Sequence, residues 1–200
     1  TLALEVIAGA GSRVSTLAPG RSDAAFENDG QLTKREMRAI TIAALEPRYG
    51  ELLWDIGLGA GSIAIEWLLC DPSLRAIGIE ERPERAEIAA RNAAQLGTPE
   101  LQIVHGRAPV ALLDLPAPDA VFIGGGLGDG VLDPAWAALK PGGRIVANAV
   151  TLEAESALLM AFQQLGGELS RIDVARADKI GTLHGWRPAF PITQWRAVKP

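Results

Sequence analysis

The sequence predicts an α/β chain with a mostly parallel seven-stranded sheet, an antiparallel last strand and helices on both faces. Three observations predict it. Apolar runs of strand length alternate with helical patterns from residue 51 to residue 165. The runs are continuously apolar, as in strands covered on both faces. The chain then closes with two strand-like runs that have no helix between them, so these pair antiparallel at one edge.

Residues 1–30 read as a linker, broken by Gly9, Gly11, Pro19 and Gly20, with Leu4, Glu5, Val6 and Ile7 as a strand remnant of a preceding domain. Residues 31–200 read as one folded domain. Its first helix is expected to open on a capping box, Thr33-Lys34-Arg35-Glu36, and to carry Met37, Ile40, Ala44 and Leu45 inward. Strands are expected at 51–57, 74–80, 101–106, 119–124 and 144–150. Helices fall between them at 62–70, 83–96 and 133–139, with a short turn near 109–113. Pro83 sits at a first-turn position, and Asp133-Pro134 reads as a cap followed by proline. A helix at 152–165 stops at Gly166-Gly167. Strands at 168–175 and 192–198 close the chain, and 178–190 is left as the loop that joins them.

Hydrophobic residues make up 48% of the 200 and charged residues 22%, which fits a globular chain. No run of 18 apolar residues is present, so no membrane span is expected. The single cysteine, Cys70, excludes an internal disulfide and a multi-cysteine metal site; it fits a reducing compartment, and the expected location is the cytoplasm. Cys70 is expected on the apolar face of its helix. The chain opens on Thr1 without a signal-peptide pattern, and the expectation is one domain of a longer polypeptide. Net charge is −5, with the acidic excess in residues 51–100, which argues against nucleic acid as a partner. From Arg171 onward six Lys/Arg face only Asp173 and Asp178. A local positive field of that kind suits a small anionic substrate.

The chemistry gathers at strand ends. The first strand runs into Asp55-Ile56-Gly57-Leu58-Gly59-Ala60-Gly61-Ser62. Glycine here permits a tight turn and close approach of a ligand, at the edge where open parallel sheets bind theirs. Position 62 is Ser, no Lys-Ser/Thr pair follows, and Asp55 is a poor neighbour for a pyrophosphate but suits a cation. The second strand ends in Glu80, 19 residues after Gly61, near the spacing of an acid that takes both ribose hydroxyls. The third ends Gly106-Arg107-Ala108, which leaves room for a flat ring. The fourth ends Gly124-Gly125-Gly126, without an Asn/Asp-Pro-Pro-aromatic clamp for an amino group.

These four strand ends, with Leu139-Lys140-Pro141-Gly142-Gly143 before the fifth strand, resemble the Rossmann-like class I S-adenosylmethionine-dependent methyltransferases over residues 33–198. The resemblance implies that Gly57, Leu58, Gly59, Ala60 and Gly61 hold the methionine part of S-adenosylmethionine. It puts Glu80 at the ribose and Ala108, with Gly106 and Arg107, at the adenine; Asp55 and Gly124 complete the set.

A narrower likeness lies in the segment from Ala25 to Glu36, then Glu51-Leu52-Leu53-Trp54-Asp55-Ile56-Gly57 and Gly61-Ser62-Ile63-Ala64-Ile65-Glu66-Trp67. These resemble the methyltransferase half of the precorrin-6Y C-5,15-methyltransferases (decarboxylating) of cobalamin biosynthesis. The resemblance implies methylation of C-15 and decarboxylation of the C-12 acetate of a polycarboxylate tetrapyrrole. It also implies a cofactor contact for Thr33, a preceding domain that serves C-5, and a homo-oligomer, a tetramer. Several members carry Asp where this chain has Glu80. Lys34, Arg35, Lys179 and Arg187 are candidates to hold substrate carboxylates, each with a strong competing reading as a solvated charge. Gly125, Gly126 and His184 are further substrate candidates, and Trp186 is the aromatic expected to touch a macrocycle. Trp54 and Trp67 read as core, and His105 as structural. No metal ligands and no catalytic acid or base are singled out. The rival readings are a methyltransferase for tRNA or a protein side chain, and a non-catalytic S-adenosylmethionine-binding domain.

Overall fold

The computed structural model describes residues 2–5, 7, 9, 10, 16 and 18–200. The elements follow the expected alternation: α1 (Arg35–Leu45), β1 (Leu52–Ile56), α2 (Ser62–Leu68), β2 (Arg75–Glu80), α3 (Pro83–Leu96), β3 (Gln102–His105), β4 (Ala120–Ile123), α4 (Leu132–Ala138), β5 (Arg144–Ala149), α5 (Leu152–Leu165), β6 (Glu168–Ile172), β7 (Ala175–Ile180), β8 (Leu183–Pro188) and β9 (Ile192–Val198). Leu4, Glu5 and Ile7 form no strand, and Val6 lies outside the described residues.

The seven-stranded sheet has the order β3-β2-β1-β4-β5-β9-β6. Strands β1 to β5 pair in parallel, and β9 runs antiparallel between β5 and β6. Side chains alternate across each strand, and the core divides accordingly. Leu53 and Phe122 pack with α1, α2 and α3 on one face. Trp54, Ile56, Val121 and Ile145 pack with α4 and α5 on the other. Trp54 and Trp67 are buried, as expected.

Residues 175–180 and 183–188 are not a loop. They form a separate two-stranded antiparallel ribbon, β7–β8, which leaves β6 and returns into β9. Because β6 is antiparallel to β9, and β9 to β5, the ribbon springs from the edge where β1 to β5 end.

Three helix ends differ from expectation. Thr33 does not cap α1: the N-cap is Lys34 with no side-chain bond, and the Thr33 carbonyl instead accepts from the Arg38 guanidinium. Asp133 lies inside the first turn of α4 rather than before it. The expected helix at 62–70 ends at Leu68, so Cys70 sits in the following turn, exposed, its Sγ donating to the Glu66 carbonyl at 3.2 Å. Gly61 in the left-handed region opens α2 directly after the glycine turn.

Candidate active site

The strand order reverses at β1, which has β2 on one side and β4 on the other. Open α/β sheets hold ligands at such a switch point, beyond the carboxyl ends of the strands. A cavity of about 980 Å³ lies there. The glycine turn after β1, the Gly124–Gly126 turn after β4 and the segment 30–37 enclose it on one side. The start of α5 and the base of the ribbon, with Ile172, Val174, Arg176, Ala189, Phe190 and Ile192, enclose the other.

The two glycine turns touch. A Cβ on Gly57 would lie 2.7 Å from the Gly125 amide nitrogen, so neither turn has room for a side chain there. Gly59 is different: its φ is +56° and a Cβ would meet only the Gly57 carbonyl, at 3.9 Å, with open space ahead.

Four of the five amides of this turn, residues 57–61, are already used. Those of Gly57 and Leu58 donate to the Ile79 carbonyl, and that of Gly61 donates to Leu58. The Gly59 amide donates to Glu80 Oε2 at 2.8 Å. Little donor capacity is left for a phosphate, and what faces the cavity is the Asp55 carboxyl. Asp55 is 1% exposed, and its Oδ2 accepts from the Ala64 amide at 2.9 Å. Burial pushes its pKa up to about 7, against the lowering effect of the Ala64 bond, and the Glu80 charge adds to the rise.

Glu80 is buried beside the cavity rather than in its lining. Its second oxygen accepts from the Arg82 amide at 3.0 Å, so the carboxylate fixes the glycine turn and the start of α3 together. Each oxygen keeps a lone pair for a further donor.

Thr33, Asp55, Gly57, Leu58, Gly59, Ala60 and Gly124 therefore share one cavity wall. Gly61 stands behind it, against Ala89. Gly106 joins the neighbouring strand end through the hydrogen bond its N–H donates to the Glu80 carbonyl, and Arg107 and Ala108 follow outside the lining. Arg107 is paired with Asp129 at 3.0 Å.

Among the substrate candidates, Lys34, Gly125 and Gly126 line the cavity; Arg35, Lys179, His184 and Arg187 do not. Lys179 and His184 lie further out along the ribbon; Arg187 stands at its root, directly opposite Arg176, and is bound to Asp178 at 2.9 Å. Trp186 is exposed on the ribbon, away from the cavity. His105 is exposed, held to the Glu81 carbonyl at 2.9 Å.

Two residues that position the site were missed. Asn92, wholly buried on α3, donates to the carbonyls of Glu27 and Ala60 and accepts from the Glu27 amide. It ties the glycine turn to the segment before α1. An asparagine among the alanines of an apolar face is the signal that marks it. Arg176, at the root of the ribbon, is the second.

The sequence matches the family of the precorrin methyltransferase domain over residues 24–199. It is 59% identical, over 98% of this chain and 48% of the relative, to a precorrin-6Y C(5,15)-methyltransferase (decarboxylating) from Sinorhizobium sp. It is 33% identical, over 82% of this chain and 88% of the relative, to a probable cobalt-precorrin-6B C(15)-methyltransferase (decarboxylating) from Saccharolobus solfataricus. The chain spans about half the length of the first of these. Its fold superposes on the crystal structure of the C-terminal domain of precorrin-6Y C5,15-methyltransferase from Rhodobacter capsulatus. That match has a TM-score of 0.87 and 50% identity, covering 92% of this chain and all of that one. The chain belongs to the precorrin methyltransferase domain family.

Proposed function

We propose that this domain methylates C-15 and decarboxylates the C-12 acetate of a precorrin-6 intermediate in cobalamin biosynthesis, with S-adenosylmethionine as methyl donor. One observation carries the reading. The cavity joins a carboxylate-backed glycine turn to a wall of apolar strand ends with cations at its margin. The first half fits a cationic amino-acid sulfonium, the second a flat polycarboxylate.

The residues present fit S-adenosylmethionine. The turn offers a buried carboxyl instead of a nest of free amides, and Gly59 leaves open space where a Cβ would intrude. In this reading Asp55 and residues 57–61 face the methionine part, Thr33 borders it, and Glu80 accepts the ribose hydroxyls. Gly106, Arg107 and Ala108 flank the adenine, with Gly124 below. When bound, the cofactor supplies a methyl group already activated on sulfur. The chain's task is then alignment of donor and acceptor at roughly 3–3.5 Å and exclusion of water. Ile172, Val174, Ala189, Phe190 and Ile192 supply apolar surface for a ring face, Gly125 and Gly126 leave its edge clear, and Lys34 takes a carboxylate. The protonated macrocycle itself accepts the electrons released by decarboxylation, so no side chain is assigned that role.

The same reading includes a homo-oligomer in the cytoplasm and a neighbouring domain that serves C-5. Exposed Ile180, Leu183 and Trp186 on the ribbon support self-association. No helix among the described residues is long and apolar enough to cross a membrane. The test is incubation with S-adenosylmethionine and precorrin-6B, followed by mass analysis. One methyl gained with one carbon dioxide lost is expected; an unchanged tetrapyrrole overturns the proposal.

A further inference from the structure

Among the described residues, three cations line the cavity: Lys34, Arg85 and Arg176. Arg85 is committed, to Asp29 at 2.8 Å and to the Gln31 side chain at 2.6 Å, and is largely covered. Lys34 has no carboxylate within ion-pair distance among the described residues. Arg176 stands between these cases. It rises from the root of the ribbon on β7 and binds one carboxylate, Glu36, in the first turn of α1. Both side chains are 43% exposed, and both line the cavity. The tie therefore crosses the wall where the apolar strand ends meet Lys34.

Exposure of this degree makes such a pair weak by itself. Glu36 also does not depend on it. Its carboxyl is held below the usual range first by its own backbone amide at the helix start, and only then by Arg176. A carboxylate arriving from the cavity can replace Glu36 on the guanidinium, leaving Glu36 with the helix amide and water.

We infer that Arg176 is a substrate-binding residue that takes a peripheral carboxylate of the tetrapyrrole, and that Glu36 occupies its guanidinium until that carboxylate displaces it. The inference rests on the proposed function and adds a specificity-determining residue to it. The guanidinium fork is matched to a carboxylate in a way an ammonium is not.

The test compares steady-state kinetics of Arg176→Ala, Arg176→Lys and Glu36→Gln with precorrin-6B, alongside calorimetric titration of S-adenosylmethionine. Arg176→Ala raises KM roughly tenfold, the scale of one lost charged hydrogen bond, with kcat and cofactor affinity unchanged. Arg176→Lys restores part of the loss. Glu36→Gln lowers KM below wild type, because the competitor is gone. If Glu36→Gln raises KM as Arg176→Ala does, the pair is a structural tie and the inference is overturned. Wild-type KM in both variants overturns it too. A wild-type protein that binds the cofactor but leaves precorrin-6B unmethylated overturns the functional reading itself, and the inference with it.

Discussion

The Arg38 guanidinium and the Glu66 carboxylate meet at 2.9 Å with neither side chain exposed to solvent. Around them the polar groups are matched. Glu66 also accepts from the Gly20 and Arg21 amides, at 2.6 and 3.0 Å. Arg38 also donates to Asp23 at 2.8 Å and to the carbonyls of Arg21 and Thr33, and lies 4.7 Å from the centre of the Phe26 ring. The pair fastens the segment 20–33 across α1 and α2, and the end of that segment is the cavity wall at Thr33.

Glu66→Gln leaves the Arg38 charge buried with its main partner neutralised. The expected cost is roughly 3–5 kcal/mol, the range for breaking one side of a buried pair. Urea unfolding measures it. A loss below about 1 kcal/mol, the range of a surface pair, would show that Asp23 and the carbonyls suffice.

The glycine turn separates fold from ligand. Gly57→Ala drives a methyl into the Gly125 backbone and is expected to destabilise the chain by about 1–3 kcal/mol, as overpacking does. Gly59→Ala meets no such obstacle and costs about 1–2 kcal/mol for its left-handed backbone. Yet it is the second substitution that abolishes S-adenosylmethionine binding in calorimetry, because its methyl enters the cavity. Wild-type affinity in Gly59→Ala would move the cofactor elsewhere.

Asp55 gives the fold a pH dependence of defined sign. Its carboxyl titrates at about 7 in the folded chain, against about 3.9 when unfolded. Between those values the folded chain keeps a proton that the unfolded chain has released. Stability therefore falls as pH rises through that window, by about 1.4 kcal/mol per pH unit inside it, and levels above the folded value. Asp55→Asn removes this component and retains an acceptor for the Ala64 amide. Its urea midpoint should gain on wild type between pH 5 and pH 8. Midpoints that move in parallel would contradict the assignment.

Lys34 and the ribbon cations outside the cavity lining are distinguished by one kinetic comparison. Lys34→Ala is expected to raise KM for precorrin-6B roughly tenfold. Lys179→Ala and Arg187→Ala should leave it within about twofold, the scale of an exposed pair. The reverse result would return the substrate to the ribbon.

The sequence announced the sheet because its strands are continuously apolar, and it announced the cavity edge because three glycines and two acids fall at strand ends. The ribbon stayed hidden for the opposite reason. Arg176, Asp178, Lys179, His184 and Arg187 put charged or polar groups along both strands, which are exposed over most of their length, so the short alternation of residues 175–178 breaks at Lys179 and marks no buried face. The basic excess of the tail was visible, but its direction was not: Arg176 lines the cavity while Arg187 is spent on Asp178. The Arg38–Glu66 pair joins two helices and a preceding segment, and no local pattern encodes such a meeting. Thr33 misled because Lys34, rather than Thr33, occupies the cap position.

The proposed reaction delivers a methyl group to C-15 of the tetrapyrrole. Its most direct measurement is a single turnover with S-adenosylmethionine labelled with carbon-13 in the methyl group and precorrin-6B as acceptor, with the product read by NMR. One labelled methyl is expected on the C-15 meso carbon, with a methyl in place of the acetate at C-12. Label at C-5, on a side chain, or nowhere on the macrocycle would contradict it.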